Sequence, residues 1–293
     1  MPTEVKLEIL EALLDVGFTR IEVTGFARPD VLPQLADAAE LLARAPRHPG
    51  VVLRALAPNL RGAQRAAEAG ADAMVAVLCC SETYSRRNQG MTIEESLDDV
   101  LRIHAVARRA GIGLTVALGL AFFCPYEGAT PPARVLRLTR ALRDDGIDSL
   151  YLATSAGMAD PRHVASLCRA VLAEHPGARL GLHLHDTNGM ALANALAGLD
   201  AGVASLEGSI AGMGGGIAMP DALPGCGNVA TEDLVAMLEQ MGVRTGVDVE
   251  RLGEVGAAIA ARLGVPSRSR LSRVGTRAAV LGRAGRALQT IEG

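Results

Sequence analysis

Residues 93–118 read IEESLDDVLRIHAVARRAGIGLTVAL, and their order decides the fold class. A helical pattern over Ile93–Ala110 stops at Gly111, and a short apolar run, Leu114–Leu118, follows. Glycine just past a helix end supplies the left-handed cap. The same punctuation recurs at Ala69–Gly70, Asp145–Gly146 and Ala201–Gly202. Working outward, strands are predicted at Arg20–Thr24, Val51–Ala55, Ala73–Leu78, Leu114–Leu118, Ser149–Leu152, Leu180–His185 and Ala204–Glu207. Helices are predicted between them at Leu60–Ala69, Ile93–Ala110, Pro132–Asp144, Pro161–Glu174 and Met190–Ala201. A helix over Thr3–Val16, with Thr3 as its expected N-cap, opens the chain, and Glu232–Met241 and Val249–Leu263 follow the last strand. Strands alternating with helices argue for right-handed crossovers and a parallel sheet.

The chain has 293 residues, of which 49% are hydrophobic and 21% charged, so a large core is available. A (β/α)8 barrel occupies roughly 250 residues. Such a barrel wants eight strands, whereas seven are legible and the chain opens on a helix. The expectation is therefore an α/β TIM-type (β/α)8 barrel lacking its first N-terminal strand. The barrel with its closing helices is placed at residues 1–265 and an Arg-rich, solvated tail at 266–293. A doubly wound sheet stays open as an alternative, but no Gly-x-Gly-x-x-Gly follows the first strand.

A formal net charge of −3 argues against a general nucleic-acid binder. Of the 29 basic residues only Lys6 is a lysine, so a bound phosphate would meet arginine or backbone amides. No secretory signal and no apolar run long enough for a membrane span is visible. Five scattered cysteines, Cys79, Cys80, Cys124, Cys168 and Cys226, do not form a disulfide framework. A reduced, cytoplasmic setting is expected.

In a parallel barrel, ligands meet the C-terminal ends of the strands. The sharpest signal there is Leu180-Gly181-Leu182-His183-Leu184-His185-Asp186. Alternation puts His183 and His185 on one face and Leu182 and Leu184 on the other. The leucines suit the helix-facing side and the histidines then point inward. Two imidazoles at i and i+2 can bind one divalent cation, although a pair of core histidines has the same spacing. Ile210 to Gly216 forms a glycine-rich loop in which Gly214 and Gly215 allow close backbone approach to a ligand. Asn228 can offer a neutral oxygen to a hard cation, or it or Thr231 can cap the next helix. Glu22, between Ile21 and Val23, is an acid in a strand; directed inward it needs an arginine or a metal-site neighbour. Arg86 and Arg87 can hold phosphates, or be surface arginines. Cys124, in the rigid turn Cys124-Pro125-Tyr126-Glu127-Gly128, can be packed or reactive.

Together these segments resemble the hydroxymethylglutaryl-CoA lyase family of the DRE-TIM metallolyases. The resemblance is carried by Ile21-Glu22-Val23-Thr24, Ala57-Pro58-Asn59-Leu60, Cys80-Ser81-Glu82, Cys124 to Gly128, His183-Leu184-His185-Asp186-Thr187 and Gly227 to Leu234. It runs from about Pro2 to Val249. It implies a divalent-metal lyase, using Mg²⁺ or Mn²⁺, that cleaves 3-hydroxy-3-methylglutaryl-CoA or a related 3-hydroxyacyl-CoA to acetyl-CoA and a keto acid. His183, His185 and Asn228 match the family's metal ligands, and Glu22 matches an active-site acid. An acyl-CoA partner and a homodimer are implied as well, and no membrane partner.

Three departures accompany the resemblance. The family's Arg-Asp pair on the opening strand has no counterpart, which is the same gap that strand counting finds; a start placed too late is expected. The family's loop cysteine is replaced by Gly216, leaving Cys226 as the substitute. A family aspartate at the end of the Ser149–Leu152 strand stands here as Thr154, with Ser155 beside it as a substrate contact. A related aldolase or acyl-CoA condensing enzyme, and a truncated non-catalytic remnant, are the alternative readings.

Overall fold

Residues 93–118 fold as their punctuation predicts. Thr92 accepts a hydrogen bond from the Glu95 amide while the Glu95 carboxylate accepts from the Thr92 amide, a reciprocal cap that starts the helix. Gly111 ends it in the left-handed region, at φ +69°, and the strand follows at Gly113.

The computed structural model describes residues 1–215, 219–220 and 227–292. In chain order these form α1 (Thr3–Asp15), β1 (Arg20–Gly25), α2 (Ala38–Arg44), β2 (Val52–Leu56), α3 (Leu60–Glu68), β3 (Ala73–Cys79), α4 (Glu82–Gln89), α5 (Ile93–Ala110) and β4 (Gly113–Gly119). A small hairpin, β5 (Phe123–Cys124) with β6 (Gly128–Ala129), precedes α6 (Pro132–Asp144), β7 (Ser149–Ala153), α7 (Pro161–Glu174), β8 (Arg179–His183), α8 (Ala191–Asp200) and β9 (Ser205–Glu207). The chain continues through α9 (Thr231–Gln240), α10 (Val249–Leu263), α11 (Arg270–Val274) and α12 (Arg277–Glu292).

The main sheet has seven parallel strands among the described residues, in the order β1-β2-β3-β4-β7-β8-β9. It is the curled α/β-barrel sheet that the strand count predicts, with β1 and β9 as its edges. Leu53, Leu78, Leu118, Leu150, Leu180, Leu182 and Leu184 are all fully buried on the helix-facing side. Each such side chain contributes about 1.5–3 kcal/mol of burial free energy. That layer fixes the strand registers, and register decides which side chains face the barrel interior.

Several local expectations are corrected. Thr3 is the first residue of α1 and not its cap; its hydroxyl donates to Asp37 Oδ2 at 2.8 Å. Neither Asn228 nor Thr231 caps α9, whose N-cap is Ala230. The strand predicted to reach His185 ends at His183, because beyond it the chain turns to pair with residues 227–229. Within the Arg-rich segment, Leu271 is buried, and the Arg270 and Leu271 amides donate to the Asp233 carboxylate. That segment is thereby held on α9. Among the described residues, no helix is long and apolar enough to cross a membrane.

Candidate active site

The end of β8 places the paired imidazoles. Leu182 and Leu184 are buried outward, so His183 and His185 turn inward, and their Nε2 atoms lie 3.2 Å apart. Residues 227–229 run beside them: the Asp186 amide donates to Gly227 O, and the Val229 amide donates to Leu184 O. This brings Asn228 opposite His185. The Asn228 amide group donates to Met213 O at 2.7 Å, which fixes the direction of its oxygen. That oxygen is buried and has no hydrogen-bond partner among the described residues. Gly214 makes the arrangement possible: its φ is +93°, and a Cβ there would fall 2.7 Å from Asn228 Nδ2.

Below this point a charged chain crosses the barrel. His183 Nδ1 is 2.7 Å from Glu207 Oε1, the other Glu207 oxygen pairs with the Arg54 guanidinium, and Arg54 also donates to the Tyr151 hydroxyl at 3.0 Å. Glu22 is the register neighbour of Arg54. The inward-facing strand acid therefore has the arginine neighbour that its position requires. Arg54, Tyr151 and Glu207 were not singled out from the sequence. Arg54 did carry a signal, as a lone charge inside the apolar run Val52-Leu53-Arg54-Ala55-Leu56.

A cavity of about 470 Å³ lies along both sheet edges, bordered by Glu22, Arg54, Tyr151, His183, Glu207 and Asn228. Its two carboxylates are driven apart. Glu22 is raised to about 7, by desolvation in the barrel interior and then by the like charge of Glu207, against the pull of Arg54 and His183. The side chain stays in contact with water along the cavity, which trims that desolvation. For Glu207 burial acts upward, but the hydrogen bond and charge of His183 and the charge of Arg54 outweigh it and hold the carboxyl at about 2. His183 is raised: burial opposes this, and the Glu207 hydrogen bond overcomes it.

Among the described residues, no three His, Cys, Asp or Glu side chains converge on one point. The donors brought to this point are mixed: two imidazoles and, across the backbone bridge from His185, the Asn228 amide. Two nitrogens 3.2 Å apart suit adjacent positions around a single ion. The orphaned buried acceptor on Asn228 is the kind of atom that a hard cation satisfies. The residues present therefore fit a divalent metal.

The other candidates lie elsewhere. Arg86 pairs with Glu82 one helical turn away, and Arg87 lies over the Tyr126 ring at 4.8 Å. Ser155 Oγ accepts from the Leu120 amide at 3.0 Å, and Gly215 is exposed in the glycine-rich loop. None of these four borders the cavity. Cys226 and Gly216 lie outside the described residues. Cys124 is packed, with its thiol 3.0 Å from Ser81 Oγ, and burial pushes the neighbouring Cys79 up to about 12. Asp186, beside the histidines, accepts from the Ala191 amide at the start of α8.

A curled parallel α/β barrel with paired imidazoles and Asn228 at its strand ends defines the class: an α/β-barrel protein whose candidate site lies at the ends of its strands. The chain belongs to the HMGL-like family, whose model matches residues 1–259. It is 38% identical to the mitochondrial hydroxymethylglutaryl-CoA lyase of Bos taurus over 93% of this chain and 83% of that protein. It is 37% identical to the hydroxymethylglutaryl-CoA lyase of Bacillus subtilis, over 92% and 89% of the two chains. The structure is also similar to that of an HMG-CoA lyase from Acinetobacter baumannii in complex with coenzyme A and 3-methylmalate. The TM-score is 0.88 at 33% identity, covering 94% of this chain and 89% of that one.

Proposed function

We propose that this chain is a divalent-metal-dependent carbon–carbon lyase that cleaves 3-hydroxy-3-methylglutaryl-CoA to acetyl-CoA and acetoacetate. The observation that carries the reading is the His183–His185 imidazole pair with Asn228 bridged to it, whose buried oxygen has no partner among the described residues, in a chain whose relatives are hydroxymethylglutaryl-CoA lyases. His183, His185 and Asn228 would hold Mg²⁺ or Mn²⁺. A metal bound there supplies Lewis acidity toward a substrate hydroxyl and carboxylate.

The remaining work falls to the chain's own groups. Breaking the bond requires a proton to leave a tertiary alcohol. Glu22 faces the cavity with a pKa of about 7, so its carboxyl can hold or release a proton near neutrality. Glu207, held ionised by His183 and Arg54, stays a fixed negative charge. Arg86, Arg87, Ser155 and the Gly214-Gly215 backbone are proposed substrate contacts. Of these, Arg87, exposed over Tyr126, offers a guanidinium for an acyl-CoA phosphate. Cys226 remains the proposed loop thiol. The complex of the Acinetobacter baumannii relative with coenzyme A supports an acyl-CoA substrate.

The test is acetyl-CoA release from 3-hydroxy-3-methylglutaryl-CoA with Mn²⁺ or Mg²⁺, repeated with chelator and with a panel of other 3-hydroxyacyl-CoA and 2-keto acid substrates. Metal-dependent release that chelator abolishes is expected. No release with either metal, alongside turnover of another substrate, would assign the chain a different reaction.

A further inference from the structure

We propose that Arg54 is a positioning residue: with Tyr151 it holds Glu207 so that Glu207 fixes the His183 ring and aims His183 Nε2 at the metal position. This rests on the metal reading above. Arg54 leaves the middle of β2 and crosses the barrel interior, with only 9% of its side chain exposed. One of its terminal amino groups donates to Tyr151, and the other pairs with Glu207. The guanidinium carbon lies 5.6 Å from the centre of the Tyr151 ring. The chain then runs on through Glu207 Oε1 to His183 Nδ1.

Stability alone gives no reason for this arrangement. A buried ion pair recovers its desolvation cost poorly, and apolar side chains of the same volume often serve folding as well or better. Among the described residues the Arg54 Nε is moreover buried without a partner, which costs free energy that neither of its two contacts recovers directly. What the contacts do achieve is orientation. Glu207 has one oxygen on Arg54 and the other on His183, so the carboxylate can neither swing toward a cation itself nor release the ring. A carboxylate at Nδ1 keeps a proton there and leaves Nε2 as the donor atom, which is the nitrogen facing His185. The donor set offered to the metal is thereby neutral, with its negative charge one bond network behind.

The experiment uses the full chain in two measurements: Mn²⁺ affinity by electron paramagnetic resonance, and the His183 tautomer by ¹⁵N NMR without metal at mildly alkaline pH. The variants are Arg54→Met, Arg54→Lys, Glu207→Gln and His183→Ala, each checked for native circular dichroism. In the wild type, His183 is expected to carry its proton on Nδ1. Glu207→Gln and Arg54→Met are expected to weaken Mn²⁺ binding about 10- to 100-fold and to let the Nε2–H tautomer appear. Arg54→Lys, which keeps the charge, is expected to recover part of both. A wild-type His183 protonated on Nε2, or wild-type Mn²⁺ affinity in Glu207→Gln and in any folded Arg54 variant, overturns the positioning role while leaving the metal reading intact. Wild-type affinity in His183→Ala overturns the metal reading itself, and the positioning role with it. Where Arg54→Met fails to fold, Arg54→Lys carries the test: affinity below that of the wild type supports the role, and wild-type affinity overturns it.

Discussion

Glu22 and Glu207 share one cavity, and opposite environments act on them, which separates an acid that can exchange a proton near neutrality from one that stays charged. The separation has a consequence for stability. Glu22 is raised from its ordinary 4.5 to about 7, so the folded chain holds that proton more tightly than the unfolded one. Its contribution is fully present below about 4.5 and is lost as pH rises through about 7. Glu22→Gln is neutral throughout. The wild type should therefore lose urea stability relative to Glu22→Gln as pH rises across that window, and midpoints measured at a series of pH values check it. Parallel profiles would show that water in the cavity solvates Glu22 as fully as bulk solvent does. At this scale the sequence told what alternation can tell. His183 and Glu22 were legible because each occupies an inward position of an apolar strand, and His185 because it continues the same alternation just past the strand end. Arg54, Tyr151 and Glu207 were not, because their meaning lies in contacts between residues 97 and 153 positions apart.

Elements were legible where their ends are marked locally. Asn59 and Ser81, in two of the segments that carry the family resemblance, are helix caps that accept from the Gly62 and Tyr84 amides. Glycine ended α5 as expected, and the same left-handed cap ends α10 at Gly264. By contrast, α4 reads Glu-Thr-Tyr-Ser-Arg-Arg-Asn-Gln and has no apolar stripe, and α11 has only five residues, so neither is announced by periodicity. For α11 the missing information is in α9. Asp233 lies there almost fully buried, and its Oδ1 accepts from Ser269 Oγ, the Arg270 amide and the Leu271 amide at 2.8–3.0 Å. A carboxylate at a helix N-terminus satisfies orphan donors and complements the helix dipole. Asp233→Ala strands those donors and should cost about 2–3 kcal/mol. Urea denaturation measures the loss, and limited proteolysis should show earlier cleavage between residues 266 and 276. Unchanged resistance there would place the anchor of α11 in the packing of Leu271 alone.

Counting strands placed seven in the sheet, and seven are present among the described residues, with β1 and β9 as edges along a common cavity. His183, Asn228 and the charged chain below them all border that cavity, so a group bound there would touch parts of the sequence that lie far apart. Metal binding should thus register in the stability of the whole molecule. A ligand that binds only the folded chain stabilises it by about 2.7 kcal/mol at a hundredfold excess over its Kd. For a chain of this length that is a rise in Tm of about 4–5 °C. Scanning calorimetry with Mn²⁺ should show the rise, chelator should reverse it, and His183→Ala should abolish it while keeping its own metal-free Tm. If Mn²⁺ raised the Tm of His183→Ala as much as that of the wild type, the cation would be binding elsewhere. The unpartnered Asn228 oxygen would then need another occupant, because a buried acceptor fixed by the Met213 carbonyl cannot turn away to find one.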